Sequence, residues 1–246
     1  MTRTDRRSHP LRAALLAAAL AAAPALAVAA ECPAPREPQL GELPKPLNID
    51  KVKDLLRDYH DKNYDADLAA VAGDAQAHVE RRAHDAKNPA LVLDIDETSL
   101  TNWPNISADD FGFISGGSCT LQKNQPCGFD AWVRKGTAKA IAPTLKLFNA
   151  AKQNGVTVFF ITGRHPETRR ITIVNLNRVG YYGWKRLTLR PDGDQRTVGA
   201  YKSAEREKIE AEGYTIIANM GDQLSDLENG HAECGFKLPN PFYFIK

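Results

Sequence analysis

Apolar positions along the chain change their period near residue 89. Before it, Val52, Leu55, Leu56 and Tyr59 fall at i, i+3, i+4 and i+7, and Leu68, Val71, Ala72 and Ala75 repeat that spacing. Such stripes are one face of a helix, so both stretches predict amphipathic helices that pack on a core. After it, short apolar runs take over, and Ala90–Asp94, Val156–Ile161, Arg186–Leu189 and Tyr214–Ala218 read as strands. Helix punctuation separates them: Pro143 opens a helix that Gly155 closes, Pro166 opens a second that Gly180 closes, and a third runs from about Ala200 to Glu212 before Gly213. Strands alternating with helices predict an α/β fold, a parallel sheet with helices on both faces. Ligands of such sheets bind beyond the carboxyl ends of the strands.

Three stretches stand outside this rhythm. Residues 1–30 carry Arg3, Arg6, Arg7 and Arg12, then an apolar run from Ala13 to Leu26 interrupted by Pro24, then the small residues Ala27-Val28-Ala29-Ala30. That layout predicts a secretory signal peptide cleaved near Ala30, and no stable membrane anchor afterwards. Residues 31–48 hold five prolines and read as an extended leader to the two helices, so 31–88 form an N-terminal extension packed on a core of 89–246. Within that core, residues 99–140 contain Gly112, Gly116, Gly117 and several aromatics, and predict a small cap inserted after the first strand.

Charge and cysteines narrow the setting. The full chain carries +2; removing four Arg and one Asp with residues 1–30 leaves the 216-residue remainder near −1. Nothing in that balance calls for a nucleic-acid polymer or an anionic membrane as partner. Four cysteines in an exported chain predict disulfides, with Cys119–Cys127 a short loop staple and Cys32–Cys234 a tie between the ends; buried free thiols are the alternative.

The densest chemical signal is Leu91-Val92-Leu93-Asp94-Ile95-Asp96-Glu97-Thr98, where a buried strand runs into acids. Positions i and i+2 of a strand share a face, so Asp94 and Asp96 address one small volume. Two unit charges about 4 Å apart at an effective dielectric of about 20 repel by about 4 kcal/mol, which calls for a cation. The second strand ends in Thr162-Gly163-Arg164, a hydroxyl and a flexible backbone suited to phosphate oxygens. The fourth ends in Gly221-Asp222-Gln223-Leu224-Ser225-Asp226, and Lys202 sits at the head of the third helix. A calcium loop of the EF-hand type does not fit, since Ser99 and Asn105 stand where Gly and Glu are needed.

Taken in order, Asp94-Ile95-Asp96-Glu97-Thr98, Tyr201-Lys202-Ser203, Gly221-Asp222 with Asp226, Phe129 to Gly136 and Lys237-Leu238-Pro239-Asn240-Pro241-Phe242 resemble the haloacid dehalogenase superfamily of phosphohydrolases, most closely the secreted acid phosphatases of subfamily IIIB. The likeness covers residues 50–246. It implies the Rossmann-like fold of that superfamily and an exported, periplasmic or secreted, Mg²⁺-dependent phosphomonoesterase. Its substrates would be small phosphomonoesters, nucleoside monophosphates among them. It further implies that Asp94 is the nucleophile, forming an aspartyl phosphate, and that Asp96 is the general acid and then base. Mg²⁺ would rest on the Asp94 carboxylate, the Asp96 main-chain carbonyl and the Asp222 carboxylate, with Asp226 in the outer shell. Thr162, the Gly163 amide and Lys202 would hold phosphoryl oxygens. Relatives of this kind commonly assemble, so a homo-oligomer is compatible with the resemblance. Two alternatives stand beside this reading: a non-catalytic storage or binding relative of the same fold, and a phosphotransferase to alcohol acceptors. Four aromatics of the cap, Trp103, Phe111, Phe113 and Trp132, are candidates either to stack on a substrate ring or to fill the cap's own core. Arg164 and His165 beside the phosphate rim are explained as well by ordinary solvent exposure.

Overall fold

Asn48 starts the first helix, α1 (Ile49–Tyr59), by accepting from the amides of Asp50 and Lys51 at 3.1 and 3.3 Å, which satisfies two of the donors a helix start leaves free. These features come from a computed structural model, which describes Met1 and residues 32–122 and 125–245. From α1 the chain passes through a π-helical turn, His60–Tyr64, into α2 (Asp65–Arg82). The stripes named above are turned inward: Leu56, Tyr59, Leu68, Val71, Ala72 and Ala75 are all buried. Then follow β1 (Pro89–Leu93), β2 (Leu100–Thr101), α3 (Trp103–Ala108), α4 (Phe129–Lys135), β3 (Lys139–Ala140), α5 (Ala142–Gln153) and β4 (Thr157–Thr162). The chain continues with α6 (Arg169–Arg178), β5 (Arg186–Leu189), α7 (Val198–Ala211), β6 (Thr215–Gly221) and β7 (Cys234–Lys237).

Five strands form one parallel sheet in the order β5-β4-β1-β6-β7. Alternate residues face opposite sides, and both sides are covered. Leu91, Leu93, Val158, Phe160 and Ile217 share a core with α1, α2, α5 and Leu176 of α6, while Ala90, Val92, Phe159, Ile161 and Ile216 meet Tyr201 and Ile209 of α7. Burial on both sides explains why these strands read as unbroken apolar runs. Each fully buried Leu or Phe there stabilises the fold by about 1.5–3 kcal/mol. Because β1 is flanked by β4 on one side and β6 on the other, the strand order reverses beside it. Ligand crevices open at such a switch point, immediately beyond Leu93.

The α/β architecture expected from the pattern is present, with three differences of detail. β6 runs on past Ala218 to Gly221, carrying Asn219 and Met220 in the buried strand. The second crossover helix opens with a 3₁₀ turn, Pro166–Thr168, before α6. The edge strand β7 was not expected: only Cys234 and Phe236 of its four residues are buried, too short an alternation to register as a strand.

Both disulfides are formed, Cys32–Cys234 and Cys119–Cys127. The first joins the extended leader to β7, and the second lies within the insertion. That insertion is closed at its base by the antiparallel pair β2–β3, with Leu100 opposite Ala140 and Thr101 opposite Lys139. The expected signal peptide, residues 1–30, lies outside the described residues apart from Met1. No helix among the described residues is long and apolar enough to cross a membrane.

Candidate active site

A tight turn after β1 sets the floor of the site. Asp94 extends the strand by one residue, its N–H donating to Met220 O at 3.0 Å; the amides of Ser99 and Leu100 then both donate to Ile95 O at 2.8 Å. Glu97 takes a left-handed φ of 51° to make that reversal, and Ser99 Oγ donates to Asp94 O at 2.6 Å. The ends of β4 and β6 and the start of α7 converge on the same point, delivering Gly163, Arg164, Asp222, Asp226 and Lys202 to one cavity wall with Asp94 and Asp96.

Charge at this floor is concentrated and buried. Lys202 Nζ lies 2.5 Å from Asp94 Oδ1 and 2.5 Å from Asp226 Oδ1. Asp94, Asp222 and Asp226 each present a carboxylate oxygen within 4.8 Å of the others, and all three residues are buried. Burial, the largest influence, pushes the Asp94 carboxyl well above its usual range against the pull of Lys202, and it pushes Asp222, with help from Asp226, up to about 6. Burial also disfavours the Lys202 ammonium, but Asp226 and Asp94 outweigh it and hold the proton on. Three buried carboxyl groups beside one ammonium gather oxygen donors at one point. That is the donor set a hard divalent cation such as Mg²⁺ takes.

The Asp96 carboxylate is not a member of this triad and has partners of its own. Arg164 grips it in a fork, Nε to both oxygens at 3.1 Å and Nη2 to Oδ1 at 2.7 Å, while Asn102 Nδ2 donates to Oδ1 at 2.8 Å. Burial alone would raise the Asp96 pKa, but the Arg164 guanidinium outweighs it and the net shift is downward. Arg164 is therefore no exposed bystander: its side chain is 3% exposed, and Nη1 donates to Thr172 Oγ1 at 3.2 Å. Asn102 also organises the turn, bonding Glu97 through Nδ2 at 2.8 Å and its backbone N–H, and accepting from Trp132 Nε1 at 2.7 Å. Sequence reading missed Asn102, and nothing local to it marks the role.

Relative to expectation, Asp94, Asp96, Gly163, Lys202, Asp222 and Asp226 all reach the cavity. Asp226, expected in an outer shell, stands level with Asp94 and Asp222, and it also caps the turn by accepting from Gln223 N–H at 2.9 Å. Thr162 is fully buried behind Gly163, its Oγ1 accepting from Arg164 N–H at 3.2 Å. The cavity, about 630 Å³, has a polar side at Arg164, His165 and Arg190 and an apolar side at Ile106, Phe111, Phe113, Phe129, Phe242 and Phe244. Of the four cap aromatics only Phe111 and Phe113 line it; Trp132 is buried, and Trp103 stacks on His60 with centroids 3.6 Å apart.

The profile of the HAD superfamily, subfamily IIIB (Acid phosphatase), matches residues 46–246. The chain belongs to that family. Acid phosphatase 1 of Solanum lycopersicum is 38% identical over 63% of this chain and 58% of its own length. The Stem 28 kDa glycoprotein of Glycine max is 38% identical over 63% of this chain and 60% of its own length, so the chain spans less than two thirds of either relative. Vegetative storage protein 1 of Arabidopsis thaliana is 30% identical over 81% of this chain and 74% of its own length. Among solved structures, the class C acid phosphatase from Bacillus anthracis with tungstate bound superposes with a TM-score of 0.59 at 21% identity, covering 74% of this chain and 80% of that one. The last likeness shows the fold alone.

Proposed function

We propose that this chain is an exported, Mg²⁺-dependent acid phosphatase that hydrolyses small phosphomonoesters through an aspartyl phosphate on Asp94. The observation that carries this reading is the convergence, at the switch point, of a buried Asp94 on a Lys202 ammonium with a second acid, Asp96, separately clamped by Arg164 at the same cavity.

The residues divide the work as follows. Asp94 attacks phosphorus in line as the bond to the leaving oxygen breaks, and Asp96 gives that oxygen its proton. Asp96 then takes a proton from water, which attacks phosphorus and releases inorganic phosphate and a free Asp94. Lys202 and the Gly163 amide neutralise the equatorial oxygens, the term phosphoryl transfer depends on most. Thr162 contributes by shaping the Gly163–Arg164 turn. A cation held by Asp94, Asp222 and Asp226 would remove the repulsion between a carboxylate and a phosphate dianion. Arg164 lowers the Asp96 pKa, so the protonated acid needed for the first step is favoured at low pH.

Two disulfides support an oxidising compartment and hence export. The storage-protein relatives keep the alternative of a non-catalytic role in view, but Asp94, Asp96, Lys202 and Asp222 together argue for chemistry. The test is phosphate release from an aryl phosphate with Mg²⁺ and with a chelator. Turnover lost on chelation and restored by Mg²⁺ supports the proposal; none in excess Mg²⁺ supports a binding protein.

A further inference from the structure

Among the described residues, Asp222 is the one member of the acidic triad with no Lys or Arg partner, yet one of its oxygens is doubly held. Gln223 Nε2 donates to Asp222 Oδ2 at 2.7 Å and Asn240 Nδ2 donates to the same oxygen at 2.6 Å. Its other oxygen, Oδ1, accepts from the Thr98 hydroxyl at 3.2 Å. The two amides are themselves oriented by the segment that follows β7: Phe242 N–H donates to Asn240 Oδ1 at 2.9 Å, and Ile245 N–H donates to Gln223 Oε1 at 3.1 Å. With each amide oxygen engaged by a backbone donor, each NH₂ is left facing the carboxylate. The same segment forms part of the apolar wall of the cavity through Phe242, Phe244 and Ile245. Phe242 is anchored in turn by Tyr64 of the π-helical turn and Trp103 of the cap, with centroids 5.0 and 5.1 Å away.

We propose that Gln223 and Asn240 are positioning residues for the cation site: they saturate Oδ2 of Asp222, leave Oδ1, which accepts from Thr98, as the ligand atom, and couple cation binding to the 240–245 wall of the cavity. Partners of this kind fix ligand orientation, and their loss typically weakens metal affinity by about 10–100-fold. The inference rests on the divalent-cation reading above, and its test separates the two.

The experiment titrates the full chain with Mg²⁺ alone, following thermal unfolding, for the wild type, Asn240→Ala and Gln223→Met, the last keeping side-chain length without the amide. The Mg²⁺ concentration giving half the rise in Tm should increase by about 10–100-fold in each variant. In parallel, aryl phosphate hydrolysis should show kcat restored at saturating Mg²⁺. A variant that lowers Tm without Mg²⁺ but keeps the wild-type midpoint would show a merely structural role and overturn the proposal. A wild type whose Tm does not respond to Mg²⁺ would overturn the cation reading itself and this inference with it.

Discussion

At the strand ends, side chains are held by charge partners: Lys202 between Asp94 and Asp226, and Arg164 in a fork on Asp96, all on residues that β1, β4, β6 and α7 place from a shared sheet. Across the cavity, the stretch between β2 and β3 contributes two helices of six and seven residues, a disulfide, and aromatic rings at its rim, of which Phe113 is 75% exposed. The floor is thus built to keep charges at fixed separations, where small displacements are costly, and the roof to present apolar surface on a loop. Under the function proposed above, that difference would divide the labour, with chemistry on the floor and choice of leaving group on the roof.

Substitutions on the two sides should therefore fail in different ways. The largest effect belongs to Asp94→Asn, expected to lower kcat by about 10⁴-fold or more while the far-ultraviolet circular dichroism stays that of the wild type. Retained activity there would break the division outright. Next comes Arg164→Ala, expected to cost about 100-fold in kcat, within the range of general acid–base catalysis. Since Arg164 is what draws the Asp96 pKa down against burial, its removal raises that pKa, and Asp96 keeps its proton to higher pH. The alkaline limb of the kcat profile should then move upward, and an unmoved limb would show that Arg164 does not govern Asp96.

On the roof side, replacing Cys119 and Cys127 together with Ser should lower stability by about 2–3 kcal/mol in a denaturant titration, the entropy of a loop this short. Its kcat for a small alkyl phosphate should stay near that of the wild type. The smallest effect is expected from Phe113→Ala, a rise of about threefold to tenfold in KM for an aryl phosphate, the scale of one aromatic contact. If kcat fell instead, the cap would be part of the chemistry.

How much of this could be read from the chain follows the same line. β1 and β4 are runs of apolar residues whose burial on both faces needs no knowledge of partners, and the acids and hydroxyl at their ends come with them. Asp94 was legible for that reason, Asp222 in the same way from the end of β6, and Lys202 from the helix that precedes β6. The Arg164–Asp96 fork joins residues 68 apart and depends on β4 lying beside β1, which periodicity does not state. Asn102 acts through its side-chain amide at irregular backbone, where no pattern precedes it, and Asn240 stood within the closing 237–242 motif with nothing to show that its amide reaches Asp222. The wall formed by Phe242 and Phe244 was not placed for another reason: these aromatics follow an edge strand too short to be seen, so the 237–242 motif was recognised without its position at the cavity.

The central claim, that Asp94 carries the phosphoryl group, is tested most directly by acid-quenching the wild-type protein during turnover of an aryl phosphate with Mg²⁺ and mapping phosphopeptides by mass spectrometry. One phosphoryl group on Asp94 is expected, accumulating further when Asp96→Ala slows the attack of water. No phosphopeptide during turnover, or a phosphoryl group on any other residue, would contradict it.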